Sequence, residues 1–304
     1  MKTTHLLTNC CLAVALLFSA TLQAEAIQKK SVAIEDIDQV EVAGPGLLTI
    51  TQGDSESLEI IASEKIMDRI EVDAHGSTLR LRLKEGSQWG FFRIDDGIQY
   101  KLTVKQLNKI KSMGSVDVEL ASDLNADHLK LDSAGSGDMR FKDITVRELD
   151  MSSAGSGDFT AGTVQAHAVE LSSAGSGDLN IGALKVATTI EISSAGSGDA
   201  RIDSLNAERL ELSMAGSGDT AIGNGEVTSQ SVDIGGSGDY SASGLKSKMA
   251  EMDLSGSADA TVWVTEELRV DASGASDVQY FGQPLVKVDT SGASSVKSLG
   301  ASPK

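Results

Sequence analysis

The chain reads as an all-β protein wound into a right-handed parallel β-helix, a β-solenoid with coils of about 20 residues and an irregular β-rich N-terminal cap. Three observations predict this. The first is a repeat: Ser-Ala-Gly-Ser-Gly-Asp stands at Ser133–Asp138, Ser153–Asp158, Ser173–Asp178 and Ser194–Asp199. Variants end at Asp219, Asp239, Asp259 and Asp277, and a last echo spans Thr290–Ser295. The second is period-two patterning on both sides of each motif. Nine and seven residues before the Asp stand pairs such as Leu129/Leu131, Val169/Leu171 and Leu210/Leu212; one and three after it stand Met139/Phe141, Leu179/Ile181 and Ala200/Ile202. Alternation of this kind marks strands with one buried face. The third is the cluster of small residues inside every repeat. Two glycines per copy would break an α-helical repeat, but they suit a corner where backbones stack closely.

One coil of about 20 residues at ~3.3 Å each encloses a narrow apolar core, and coils stacked at ~4.8 Å place like residues above like. Right-handed winding follows from the usual hand of parallel crossovers. Taken in order, residues 1–24 read as a signal peptide: Lys2, a short apolar run from Cys11 to Phe18, then small residues to Ala24. That run is too short to span a bilayer. Residues 25–112 form a β-rich region of first coils and cap. Val40-Glu41-Val42, Leu48-Thr49-Ile50, Leu58-Glu59-Ile60 and Leu79–Leu83 alternate apolar with polar, and Gly44-Pro45-Gly46, Gly53-Asp54 and His75-Gly76 supply turns. One helical turn is expected within Lys65–Arg69. Residues 113–304 hold the repeat array, with Gly114-Ser115-Val116-Asp117 as its imperfect first member.

Composition narrows the function classes. Twenty-six basic and 44 acidic residues leave a net charge of -18, which makes nucleic acid and anionic lipid poor partners. Both cysteines, Cys10 and Cys11, lie in the signal segment, so the exported chain has no thiol or disulfide chemistry. A signal peptide with no later apolar span places the product in the periplasm, at the cell surface or outside the cell.

The most prominent polar feature is the recurring aspartate. Asp138, Asp158, Asp178, Asp199, Asp219 and Asp239 should form an outward column beside Ser136, Ser156, Ser176, Ser197, Ser217 and Ser237. Carboxylates ~4.8 Å apart repel, by about 1 kcal/mol in water and ~3–4 kcal/mol at an effective dielectric of 20. Hydrogen bonds from backbone N–H groups of the same turn would offset this, as would calcium shared between rungs. A row of equivalent carboxylates lacks the asymmetry that acid–base catalysis requires, so no catalytic residue is assigned. The serines Ser133, Ser153, Ser173 and Ser194 should face inward. The histidines His75, His128 and His167 sit at non-equivalent positions, and no serine–histidine–aspartate set or metal-ligand spacing emerges. No cofactor is assigned; calcium on the Asp row is the one cation considered. Trp89, Phe91 and Phe92 cluster in the irregular stretch Gly86–Gly97 and could contact a partner or plug the end of the core.

The opening block Ile37–Ile61 with its Gly-Pro-Gly, followed by Thr78–Leu83, and the closing repeats Ser273-Gly274-Ala275-Ser276-Asp277-Val278 and Ser291-Gly292-Ala293-Ser294-Ser295-Val296 resemble the auto-transporter adhesin head (GIN) domain family. The resemblance covers nearly all of the exported chain. It implies a β-helix and an exported location, and it brings no catalytic residues. The expected function is a non-enzymatic envelope module that binds a surface glycan or protein, or serves structurally, with an end-to-end homodimer as one arrangement. A polysaccharide-acting enzyme and a calcium-responsive module are the alternatives.

Overall fold

The computed structural model of the chain describes residues 26–84 and 97–303. The signal segment and the cluster Trp89, Phe91 and Phe92 lie outside the described residues. Parallel strands stack in register for about ten turns as a β-solenoid. Among the described residues the only helix is the single turn α1 (Glu64–Met67), overlapping the stretch Lys65–Arg69 where a turn was expected.

The repeat sets the register. Leu129, Leu149, Val169, Ile190 and Leu210 pair one above another, as do Met139, Phe159, Leu179 and Ala200. All are buried. Each large apolar side chain removed from water contributes roughly 1.5–3 kcal/mol, and stacked columns repeat that gain at every coil. Volume is balanced across columns. Phe159 stands two residues before the small Ala161, and its ring stacks on Phe141 with centroids 5.4 Å apart. The serines expected inward, Ser133, Ser153, Ser173 and Ser194, are half-buried. The same column continues as Met214, Ile234, Leu254 and Ala272, all buried, so it does face the core.

The stack begins earlier than the aspartate repeat. Strand β1 (Ile27–Val32) precedes β2 (Gln39–Gln52), and β2 pairs in parallel with the whole of β7 (Lys109–Leu120) from Gln39 to Ile50, Gly44 against Gly114 and Leu47 against Asp117. Strand β7 in turn pairs with β8 (Leu124–Gly135). β2 is therefore a full member of the stack that carries leucine where later coils carry aspartate. The residues between β2 and β7 fold into the cap. β5 (Thr78–Leu83) and β6 (Gln99–Val104) cover the two halves of β2 in parallel. β4 (Ile70–His75) and β3 (Ser57–Ser63) then add antiparallel, on β5 and β6 respectively, and β1 closes on β3. The outermost strand β1 is almost wholly exposed and carries Lys29 and Lys30. Charge on an edge strand discourages pairing with another chain.

One stretch of core is polar. Tyr240 donates its hydroxyl to Gln230 Oε1 at 2.9 Å, Gln230 Nε2 donates to Ser247 Oγ at 2.8 Å, and Ser247 Oγ donates to the Trp263 carbonyl at 3.1 Å. Tyr240, Gln230 and Ser247 are all buried. Burial pushes the Tyr240 phenol far above its ordinary range, so it remains a protonated donor. Trp263 itself is half-buried, with the Lys246 ammonium 5.9 Å from its ring centroid.

Near the C-terminal turns an ion cluster ties consecutive coils. Glu267 Oε1 accepts from Lys287 Nζ and from Arg269 Nε, each at 2.8 Å. These bonds, Lys287 first, hold the Glu267 carboxyl at about 2 against an ordinary 4.5. A depressed carboxyl contributes stability above its unfolded pKa and loses it as pH falls through the folded value. The melting temperature of the native chain should therefore exceed that of Glu267→Gln near neutral pH. The gap should narrow between pH 4.5 and 2, as thermal melts at stepped pH would show.

Candidate functional site

Each corner is built by two glycines and closed by the aspartate. At Gly175 the backbone takes φ +158°, and a Cβ there would lie 1.9 Å from the Gly155 carbonyl oxygen of the preceding coil. Two residues on, a Cβ on Gly177 would lie 2.1 Å from the Gly157 carbonyl oxygen. Adjacent coils thus touch backbone to backbone at the corner, which only glycine allows.

This close turn disturbs the ladder, and the aspartate repairs it. Asp138, Asp158, Asp178, Asp199, Asp219, Asp239 and Asp259 each donate a backbone N–H at 2.9 Å to Oδ1 of the aspartate one coil earlier, starting at Asp117. The carbonyl of each of these aspartates up to Asp239 accepts the N–H of the residue that follows the earlier aspartate, as from Phe159 to Asp178 at 2.8 Å. Consecutive corners are therefore clasped by one main-chain and one side-chain bond. The offset to carboxylate repulsion comes from the next coil, not from the same turn as the sequence reading had it. The difference is geometric: a carboxylate projecting along the stack reaches the neighbouring N–H, whereas glycine has already bent its own turn away. Asp178→Ala should cost about 1.5–3 kcal/mol for the lost charge-assisted bond, while Asp178→Asn, which keeps the oxygen and removes a charge, should be near neutral in urea melts.

The six aspartates are outward, and so are Ser136, Ser156, Ser176, Ser197, Ser217 and Ser237. Asp138 also pairs with Arg140 at 2.6 Å. His75, His128 and His167 are exposed. His128 Nδ1 lies 2.9 Å from Glu148 Oε2, and its Nε2 lies 2.7 Å from Arg147 Nη2. Among the described residues no three His, Cys, Asp or Glu side chains converge to hold a metal.

Sequence reasoning passed over a second outward face. Lys130, Asp150, Glu170, Glu191 and Glu211 form one column across five coils, and His128, Glu148, Ala168, Thr189 and Arg209 form the column beside it. Basic residues mark the near end: Lys130 pairs with Asp150 and lies 3.7 Å from Asp132. Arg209 stands 3.8 Å from Glu211 at the far end. Glu170 and Glu191 in the middle have no ion-pair partner among the described residues. Where the small residues Ala168 and Thr189 interrupt the columns, the surface dips into a shallow depression of about 490 Å³, lined by Glu148, Asp150, Glu170 and Glu191 among others. A similar dip of about 470 Å³ lies over Ser229 and Ser231, with the half-exposed Met249 and the charged Arg209 and Arg269 around it. The signal was present in the recurrence of an acidic residue eight positions before the corner aspartate, but glutamate on a strand is also what any solvated face carries.

The fold and most of the chain have relatives. No curated protein matches the chain. A crystal structure titled "putative adhesin" from Parabacteroides merdae superposes with a TM-score of 0.55 at 18% identity, covering 91% of this chain and 97% of that one. Another of the same description, from Parabacteroides distasonis, gives 0.54 at 20% identity, covering 91% and 98%. At such identity these likenesses establish the fold alone. The family model described as "Putative auto-transporter adhesin, head GIN domain" matches residues 36–203 and 186–284, and the chain belongs to that family.

Proposed function

We propose that this protein is an exported, non-enzymatic binding module of the cell envelope that holds a surface glycan or protein against its outward polar columns. The observation that carries the reading is the acidic stripe Asp150, Glu170, Glu191 and Glu211, set at coil spacing beside a depression of about 490 Å³. The two carboxylates of the stripe without an ion-pair partner among the described residues, Glu170 and Glu191, can accept hydrogen bonds from sugar hydroxyls or pair with basic side chains, and a repeated ligand meets a repeated surface in register. Membership in an adhesin-head family supports the same reading. No helix among the described residues is long and apolar enough to cross a membrane, and export rests on the signal-like N-terminus.

The test is a glycan array together with binding to isolated envelope fractions, comparing the native chain with a Glu170→Lys/Glu191→Lys double variant. Retention by the native chain and at least a tenfold loss in the variant are expected. Turnover of a polysaccharide that disappears on one Asp→Asn change would replace binding with catalysis as the function.

A further inference from the structure

The two ends of the stack are finished differently. At the N-terminal end, β5 and β6 cover β2, and β3 and β1 fold over β6. At the other end the strands Leu285–Thr290 and Ser295–Gly300 pair on one side only, with the coil before them. Among the described residues no strand pairs with their outer edges. The apolar columns run on to this open end. Val286 stands over Leu268, Val288 over Val270 and Val296 over Val278. Leu268, Val270 and Val278 are buried, but Val286 and Val296 are only half-buried and Val288 is 48% exposed. Leu285 and Leu299 are exposed at the same end. An apolar sheet end with a free ladder edge is a template for a further strand.

Charge selects which strand fits. Lys287 and Asp289 flank Val288 and are both exposed. Asp289 has no ion-pair partner among the described residues, and it ends a column of like charge formed by Asp233, Asp253, Asp271 and Asp289. Lys287 Nζ donates to Glu267 Oε1 at 2.8 Å. An ammonium carries three donors, so that bond leaves Lys287 able to reach a second carboxylate across the edge. When the strand Leu285–Thr290 pairs antiparallel with the same strand of a second copy, centred on Val288, each Lys287 stands opposite the other copy's Asp289. Opposite charges in that cross-strand position attract, and the two-fold symmetry repeats the pair. Pairing the open end with a cap fits worse. The β1 edge brings Lys29 and Lys30 to strands that carry Lys287 and Lys297 against the single Asp289.

We infer that two copies of this chain join head to head through their C-terminal coils, with the strand Leu285–Thr290 continuing antiparallel into its counterpart across a two-fold axis. The free backbone groups of the edge then enter a ladder, and Val286, Val288 and Val296 are covered by the same residues of the second copy. The contact uses one surface twice, so it closes at two copies and does not propagate. Both caps point away from the junction, and the outward columns of each copy stay open to solvent. The contact does not depend on what those columns bind. It gives any ligand that they hold two presentations on one particle, which raises avidity for a surface with no new contact.

The experiment is sedimentation velocity of the purified full chain over a concentration series, with circular dichroism to confirm that each variant keeps its strands. The native chain should show a reversible monomer–dimer equilibrium. Val288→Lys should weaken it about tenfold or more, by placing two ammonium groups together at the centre of the junction. Lys287→Asp and Asp289→Lys, each alone, set like charges across the edge and should weaken it to a similar degree. An equimolar mixture of these two single variants should dimerise again, because every opposed pair between the unlike chains is once more an aspartate and a lysine. A chain that stays monomeric up to millimolar concentration, association indifferent to Val288→Lys, or a mixture that associates no better than its components overturns the inference. Growth beyond dimers overturns it as well, by seating a cap and not a second open end on the C-terminal coil.

Discussion

Gly175→Ala should destabilise the chain by about 3 kcal/mol or more, while the same substitution at Gly235 should be neutral or stabilise by about 0.4–1 kcal/mol. The two glycines stand at neighbouring positions of the repeat: Gly175 lies in the column of Gly196, Gly216 and Gly236, whereas Gly235 lies in that of Ala215. A Cβ at Gly175 would sit 1.9 Å from a backbone carbonyl oxygen, and the position has positive φ. Neither the carbonyl nor the dihedral can relax without parting two coils, because the neighbouring Ser176 N–H is bonded at 2.9 Å to that same carbonyl of Gly155. A Cβ at Gly235 would meet nothing closer than 3.7 Å, and its column neighbours are already Ala215 and Ser255. There alanine only restricts the unfolded chain. Urea denaturation of both variants, with hydrogen exchange across the coils flanking Gly175, measures the contrast. Equal behaviour of the two would show that the corners do not bear the close backbone contact on which the stack depends.

The second large effect concerns the polar stretch of core. Tyr240→Phe should cost about 1–3 kcal/mol, because Gln230 Oε1 loses the tyrosine donor while still buried. Gln230→Leu alone should cost a similar amount by stranding the tyrosine hydroxyl. The double variant should cost clearly less than the two single costs combined, since an apolar pair of similar shape leaves neither partner unsatisfied. Leucine already occupies the equivalent column position at Leu210, so the coil can accept it. Strict additivity in a double-mutant cycle would mean that the Tyr240–Gln230 bond contributes nothing to the fold.

How much of this could be read from residues alone differs from element to element. The coil, its corner and its apolar columns were legible because one interaction set recurs at a constant interval, and constant spacing in a chain becomes stacking in space. Outward Asp178 and inward Ser173 followed from simple alternation. β2 was harder to place. Its Gly44-Pro45-Gly46 occupies the corner, but leucine replaces the aspartate, and the cap is inserted before the next coil, so the regular interval is lost. The partner of each corner carboxylate was equally hidden. Alternation puts Asp178 outside, yet only coil-on-coil geometry decides that its Oδ1 meets the Asp199 N–H and not one of its own turn.

A cleft where the cap meets the first coil, lined by Asp36, Asp38, Glu56 and Lys105 among others, marks the boundary most sharply. Asp36, Asp38, Glu56 and Lys105 are scattered along about 70 residues of irregular sequence, each unremarkable as a surface charge. Periodicity is a property of neighbours along the chain, and it was enough to dictate a stacked β architecture with glycine corners and a polar exterior. That Asp38 and Glu56 line one cleft is a property of chain crossings, which no local pattern encodes. It arose only when three separate connections packed against the first coil and closed water away from two carboxylate oxygens.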